Sequence, residues 1–554
     1  MPIRFVPAIA IYLEGGARPD RRVARQRPPG SSAHQTNRIS ARGRNRLYCA
    51  GMRLAGWMMD VAREQSPTLD FLREVCAKSL DAGYNALGLY LEHRFAYPSA
   101  PWAADVGALK AKEIERLSKE FSPKGFRIIP FINTLGHMEG FIRAEGGQWL
   151  AEGATIRASA QVCASRKEVV SFVRSLVDDT IRTFDDPWIH LGGDEAHQLG
   201  QCVRCEKRVK KVGAGGLYGD YYRDLCEYVL GKGRTPCLWA DMVLAYPDAL
   251  RMLPKETVLF DWQYSDDPTP TTKRLLKAGF KVVNCPAVHT YDATWCHLPL
   301  TQQNVDEHAK VAKELNTEGV LVTTWEFSFL SNYASTLPLI YAVGRRLSGA
   351  SWGAAIKKSG GKAYYDAAKA LGEQIPKLSK FLRPGTWRPL REAFIMRDSP
   401  FYLWEDWRDE AVGKVGTEIL KICDKLDEVL PPQDPLHWCV QLHRVAVDWV
   451  RLCDKAYQKY SKRDVRGCAE LLEEGALRIA TLGAGLKRLE EMGGSHADTL
   501  RLRRIVQRVK QVARRVLEQQ RGTAKPKYLP AFEVISHASF VPGDQAAWRS
   551  TQFR

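Results

Sequence analysis

Residues 188–200 of this 554-residue chain read "WIHLGGDEAHQLG". An apolar pair leads through two glycines to two adjacent carboxylates, Asp194 and Glu195. Carboxylates side by side repel each other, so a merely structural role would be an odd use of them. Neighbouring carboxylates are candidates for acid–base chemistry. An isolated acidic dipeptide is more often a solvated turn, so the surroundings must decide. Trp188–Leu191 patterns as a buried strand, and Gly192-Gly193 would end it, leaving the pair where a strand gives way to a loop.

The elements that would position the pair follow from the hydrophobic pattern. Short apolar runs at 54–61, 85–92, 127–133, 188–193, 236–242, 257–262, 281–286 and 319–325 predict eight strands. Amphipathic helices are predicted between them, over 66–82, 107–121, 166–184, 217–231, 304–315 and 337–348. Continuous apolar strands are buried on both faces, as in parallel sheets. Eight strand–helix units over about 300 residues fit an α/β fold, a closed (β/α)8 TIM barrel. An open doubly wound sheet is disfavoured, because no Gly-rich phosphate loop follows the first strand. Chemistry then belongs at the carboxyl ends of the strands. These ends carry Asp60 and Arg63, Glu92-His93-Arg94, Asn133 and His137, Asp194-Glu195, Trp239 and Asp241, Trp262 and Tyr264, Tyr291, and Trp325-Glu326. Three tryptophans at one barrel mouth, with carboxylates and arginine, match a sugar ring: aromatic faces stack on C–H surfaces and charged groups bond hydroxyls.

Composition narrows the classes. With 45% hydrophobic and 26% charged residues and no long apolar run, the chain reads as globular, with no membrane span. The net charge of +18 is concentrated at the ends: +8 within residues 1–46 and +9 within 501–527. The catalytic region is close to neutral, so nucleic acid is not the expected partner. Residues 1–48 form a basic segment expected to be disordered, 49–352 the barrel, and 353–554 an α-helical C-terminal domain. In that last part Ile505, Val509, Val512 and Val516 recur at helical spacing, leaving the arginines on a wet face. Pro7 interrupts the apolar N-terminal stretch, which argues against a secretion signal, and thirteen scattered cysteines suit a reduced, cytoplasmic setting. The Cys202-Val-Arg-Cys205 pattern, with His197 upstream, is a weak candidate for structural zinc. The proposed chemistry requires no metal and no cofactor.

The string "HLGGDE", preceded by a "GH" strand end and followed by strand-end tryptophans, resembles glycoside hydrolase family 20, the β-N-acetylhexosaminidases. "LGLYLEHRFAYP" and "IIPFINTLGHMEGF" bring it nearest to the hexosaminidase D-like branch. The resemblance spans roughly residues 50–350. It implies exo-acting retaining hydrolysis of terminal N-acetylglucosamine or N-acetylgalactosamine, the substrate's own 2-acetamido oxygen serving as nucleophile. By resemblance, Glu195 is the general acid and then the base, and Asp194 orients the acetamide. Arg63 would bind hydroxyls at the non-reducing end, and Tyr291 the acetamide oxygen. Trp239, Trp262 and Trp325 would cage the acetamido methyl and the sugar face, with His137 and His190 supporting the pair. Glu326 is the remaining substrate-binding candidate. The partner is thus a glycan with a terminal N-acetylhexosamine.

Two departures stand out. Asn133 occupies a place where many family members carry an acidic residue, and Glu326 is adjacent to Trp325 rather than two positions beyond it. The other reading of the same fold is a glycan-binding protein without turnover, which a buried acid does not serve.

Overall fold

The computed structural model describes residues 52–62, 67–105, 107–153, 159–291, 293–325, 332–380, 382, 404–493 and 497–523. Its described residues contain nine strands: β1 (Leu54–Asp60), β2 (Ala86–Tyr90), β3 (Arg127–Phe131), β4 (Trp188–His190), β5 (Thr235–Trp239), β6 (Val258–Trp262), β7 (Lys281–Cys285), β8 (Ala287–Val288) and β9 (Gly319–Thr324). Each pairs in parallel with its neighbour in the order β1 to β7, then β9, and β9 pairs back to β1, which closes an eight-stranded barrel. The two-residue β8 is an addition against the carboxyl end of β9. The (β/α)8 reading is therefore correct.

Both faces of the strands are buried, for two different reasons. Leu54, Met58, Ile129, Phe131, Trp239, Phe260, Val283 and Leu321 fill the barrel interior. Trp57, Met59, Leu87, Leu89, Ile128, Leu238, Leu259 and Val282 point outward into the layer shared with the helices. This double burial explains why the strands read as apolar runs without alternation. Completely burying one such side chain contributes roughly 1.5–3 kcal/mol. Trp57 is fully buried and keeps its indole hydrogen bond, donating Nε1–H to Ser79 Oγ at 2.9 Å.

Helices cover the barrel at Leu69–Asp81, Ala111–Phe121, Lys167–Thr183, Val203–Gly231, Leu298–Glu314 and Tyr333–Leu347. Three of them begin earlier than their sequence patterns suggest, each through a local starting device. Cys202 caps the first by accepting the Cys205 N–H, a proline stands in the first turn of the second, and Asn332 caps the third by accepting the Ser335 N–H. The first is two helices meeting at Gly213, whose φ of 73° breaks the helical path.

The chain continues into helices, including Lys414–Asp427, Pro435–Ser461, Val465–Ala480, Leu482–Gly493 and Ala497–Gln520. They pack on the barrel through Tyr333–Leu347, which touches Pro435–Ser461 and Leu482–Gly493. Trp438 is a core anchor, buried with Nε1–H donated to the Leu482 carbonyl. In the last helix Ile505, Val509 and Val516 are buried together with Leu502 and Ala513, while Val512 sits at the margin. Among the described residues no helix is long and apolar enough to cross a membrane.

Candidate active site

The carboxyl ends of β2, β3 and β4 converge on the acidic pair through unusual backbone. Glu92, His137 and Glu195 have φ of 41°, 52° and 47°, left-handed values that side chains seldom adopt. Such outliers persist only where their surroundings fix them, and they cluster at functional sites. Gly193, with φ 98°, cannot be replaced without strain: a Cβ there would lie 2.8 Å from the Tyr218 hydroxyl. Gly136 lets two loops touch, because a Cβ there would come within 2.6 Å of the Asp194 carbonyl oxygen.

Three tyrosines of the helix Val203–Gly231 hold these loops. Tyr218 donates to the Gly193 carbonyl at 2.8 Å, Tyr221 donates to the Thr134 carbonyl, and Tyr222 shares a 3.1 Å hydrogen bond with Thr134 Oγ1. Burial pushes all three phenols up, so they stay neutral donors. The pair is therefore fixed from the backbone outward.

His137 joins the two carboxylates. Its Nε2 lies 3.4 Å from Asp194 Oδ2 and 3.3 Å from Glu195 Oε2. Burial alone would lower its pKa, but Asp194 and Glu195 override that and hold it well above the ordinary histidine value. The carboxylates differ in access: the Asp194 side chain is 10% exposed and that of Glu195 is 28% exposed. Glu195 is thus the group that water and a leaving group can reach. Asp194 Oδ1 is buried without a hydrogen-bond partner among the described residues. The same holds for Asn133 Oδ1 and Asp241 Oδ1 nearby on the strand ends. Buried polar atoms without partners are rare, and several at one barrel mouth mark where a polar ligand would complete the bonding.

Asp241 is the neighbour that the sequence pointed to but gave no role. Its Oδ2 accepts the Glu195 N–H at 3.0 Å. Burial and the charge of Asp194 push its carboxyl up to about 8, while the Glu195 N–H pulls the other way. A carboxyl raised above its unfolded value of about 3.9 holds a proton that the unfolded chain has lost, so stability falls as pH climbs from about 4 to 8. His137 has the same sign: its contribution is complete below about 6.5 and is lost as pH rises through the higher folded value. Asp241→Asn keeps an oxygen for the Glu195 N–H and removes one titration. We expect its melting temperature to exceed that of the native protein by a margin that widens between about pH 5 and 8. A margin independent of pH would show that Asp241 does not titrate there.

Opposite the acids stands an aromatic cluster centred on Tyr264. Its ring stacks on Trp262 at 5.1 Å, and its hydroxyl accepts Trp325 Nε1–H at 2.7 Å and Thr323 Oγ1–H at 3.2 Å. Tyr291 packs 5.9 Å from Tyr264, and Tyr90 meets Trp325 edge-on at 5.0 Å. The Asp194 charge is among those that raise the Tyr264 phenol, which ties this cluster to the acidic pair. The Tyr264 hydroxyl fixes the Trp325 indole.

The structure sorts the sequence candidates. Asp194, Glu195 and His137 lie together, and Trp262, Tyr291 and Trp325 line the aromatic side. His190 and Trp239 are fully buried beneath them. The His190 ring stacks on Phe131 at 4.3 Å and lies 4.4 Å from Trp239, and its Nδ1 accepts the Gly192 N–H. Burial holds His190 well below the usual histidine pKa, so it is a neutral floor residue that shapes the turn rather than an exposed sugar contact. Arg63 and Glu326 lie outside the described residues. His197 is exposed and away from the thiols; Cys202 and Cys205 instead join Glu152 and Cys163. The metal candidates are corrected accordingly.

Residues 56–328 match the family model for the glycosyl hydrolase family 20 catalytic domain. Lacto-N-biosidase of Bifidobacterium bifidum is 24% identical over 181 residues, covering 31% of this chain. The chain spans only 16% of that relative's length. Similar solved structures include a Bacteroides fragilis β-N-acetylhexosaminidase at 17% identity, covering 54% of this chain and 66% of that one, TM-score 0.45. A Vibrio harveyi GH20 exo-β-N-acetylglucosaminidase in complex with N-acetylglucosamine is 15% identical over 58% of each chain, TM-score 0.47. Flavobacterium johnsoniae chitobiase is 13% identical, covering 85% of this chain and 73% of that one, TM-score 0.48. The matched segment holds the closed barrel, the acidic pair and the aromatic cluster, and residues 56–328 of this chain form a glycosyl hydrolase family 20 catalytic domain.

Proposed function

We propose that the chain is an exo-acting β-N-acetylhexosaminidase that removes terminal N-acetylglucosamine or N-acetylgalactosamine by substrate-assisted, retaining hydrolysis. The observation that carries this reading is the division within the acidic pair. Glu195 is open to the mouth, whereas the buried Asp194 keeps Oδ1 without a partner among the described residues. An acetamide N–H supplies the donor that Asp194 Oδ1 lacks. Held there, the acetamide carbonyl oxygen attacks the anomeric carbon as Glu195 gives its proton to the departing glycosidic oxygen. Water then opens the oxazolinium ring, with Glu195 taking back a proton, and the sugar leaves with its anomeric configuration retained. His137, positively charged between the acids, offsets their repulsion. Trp262, Tyr291 and Trp325 supply the apolar wall for the ring and the acetamido methyl.

Chromogenic N-acetyl-β-glucosaminides and -galactosaminides test the reading directly. Release of the chromophore at rates that rise with purified protein is expected. Saturable binding of N-acetylglucosamine without turnover would replace this reading with that of a glycan-binding protein.

A further inference from the structure

Beside the catalytic loops, four ligand-type side chains converge that the proposed reaction does not use. Glu152, Cys163, Cys202 and Cys205 bring one carboxylate oxygen and three sulfurs within 4.8 Å of one another. Glu152 is 1% exposed, and Cys163 and Cys205 are fully buried. The Cys163 sulfur lies 3.5 Å from that of Cys202 and 3.7 Å from that of Cys205. Four thiolates or carboxylates around tetrahedral zinc, with Zn–S of about 2.3 Å, stand roughly 3.8 Å apart, so the spacing is that of ligands sharing one ion. Sulfurs this close are too near together to be spread over the separate irons of a cluster.

Glu152 supplies the independent sign. Its Oε1 accepts the Cys202 N–H at 3.1 Å, while Oε2 is buried and has only the cysteine thiols to face. No Lys or Arg among the described residues forms an ion pair with it. A buried carboxylate oxygen facing three thiols is costly unless a cation completes the site. A disulfide would consume two sulfurs and leave the third, with the carboxylate, uncompensated. The supports of a built site are present as well. The Cys205 N–H points at Cys202 Sγ at 3.4 Å at a helix start, which favours thiolate, and the Cys205 sulfur bonds Ser165 Oγ at 3.0 Å.

From this geometry we propose that Glu152, Cys163, Cys202 and Cys205 bind one structural zinc ion. The three sulfurs favour zinc over the hard oxygen-seeking cations, and the carboxylate oxygen is a poor ligand for the soft copper(I). Binding releases the thiol protons and closes the coordination, leaving no open position for substrate. The consequence for the enzyme lies in where the ligands come from. Glu152 and Cys163 bracket the loop after β3, and Cys202 follows Glu195 by seven residues. Hydrogen bonds already run between these segments, from Gln198 N–H to Gln161 Oε1 and from Ala160 N–H to Gln198 Oε1, each at 3.0 Å. Zinc would staple the loop after β3 to the loop that carries the acidic pair. It acts by positioning and takes no part in the chemistry.

Metal analysis of the full chain, produced with ample zinc and dialysed, tests the proposal independently of glycosidase activity. One zinc per chain is expected. Cys163→Ser and Cys202→Ser should lose it, and Cys468→Ser, in a distant helix, should keep it. Should the serine variants be insoluble, alkylation mapped by mass spectrometry on the native protein decides. Zinc should shield Cys163, Cys202 and Cys205, and stripping the metal should expose them and lower the melting temperature reversibly. Cobalt in place of zinc should give the intense visible bands of a tetrahedral thiolate site. Protein free of metal, with these thiols open to alkylation or with a Cys163–Cys202 disulfide, would overturn the site.

Discussion

Glu195→Gln should reduce hydrolysis of unactivated oligosaccharides by about 10²–10⁴-fold, the usual contribution of general acid catalysis. Glutamine keeps the size of the side chain and the backbone N–H that bonds Asp241 Oδ2. What it loses is the transferable proton. Sugar binding should therefore change little, because Asp194, the tryptophans and Tyr291 remain. The loss should depend on the leaving group: an aryl glycoside with an acidic phenol needs less protonation and should be spared more than an alkyl or sugar aglycone. Steady-state kinetics on a graded series of leaving groups reads this directly. Near-native turnover of an oligosaccharide by the variant would remove Glu195 from the acid role. An equal loss across the whole series would point instead to a displaced site.

Much of this machinery was legible from the sequence, for a definite physical reason. Strands buried on both faces give uninterrupted apolar runs, so β1 and β9 stood out almost to their ends. The glycines before Asp194 marked the sharp exit from β4 even though that strand is only three residues long. Sequence could not separate the mouth of the barrel from the layer just beneath it. His190 and Trp239 lie one level down and are sealed, whereas Trp262 and Trp325 remain partly open. Tyr264 was visible at the end of a strand but its role was not, because that role is to accept a hydrogen bond from Trp325, a partner 61 residues away. The thiol site was hidden for the same reason. Its CxxC half was visible, but Cys163 and Glu152 lie 39 and 50 residues from Cys202 and arrive through the loop after β3. Proximity in sequence favoured His197, which the fold turns outward.

Activity should also collapse, by orders of magnitude, when the substrate's 2-acetamido group is replaced by a plain hydroxyl. A glucoside loses the internal nucleophile as well as the N–H that Asp194 Oδ1 would accept, so both halves of the proposed step fail together. Effective molarities for a well-placed internal group reach about 10⁵–10⁸ M, so few single changes to the substrate should matter more. The thiazoline analogue of N-acetylglucosamine resembles the cyclic intermediate and should bind more tightly than substrate, as mimics of high-energy species do. Asp194→Ala ties the two measurements to one residue. It should slow N-acetylglucosaminide cleavage and weaken the thiazoline in parallel, because under the proposed mechanism the same carboxylate would orient the acetamide and face the oxazolinium charge. It should do so without rescuing glucoside turnover. If glucosides react as fast as N-acetylglucosaminides, or if the thiazoline fails to bind an active enzyme, the substrate is not its own nucleophile. Glu195 would then require a protein carboxylate as partner, and Asp241, bonded to its backbone N–H, would be the first to replace.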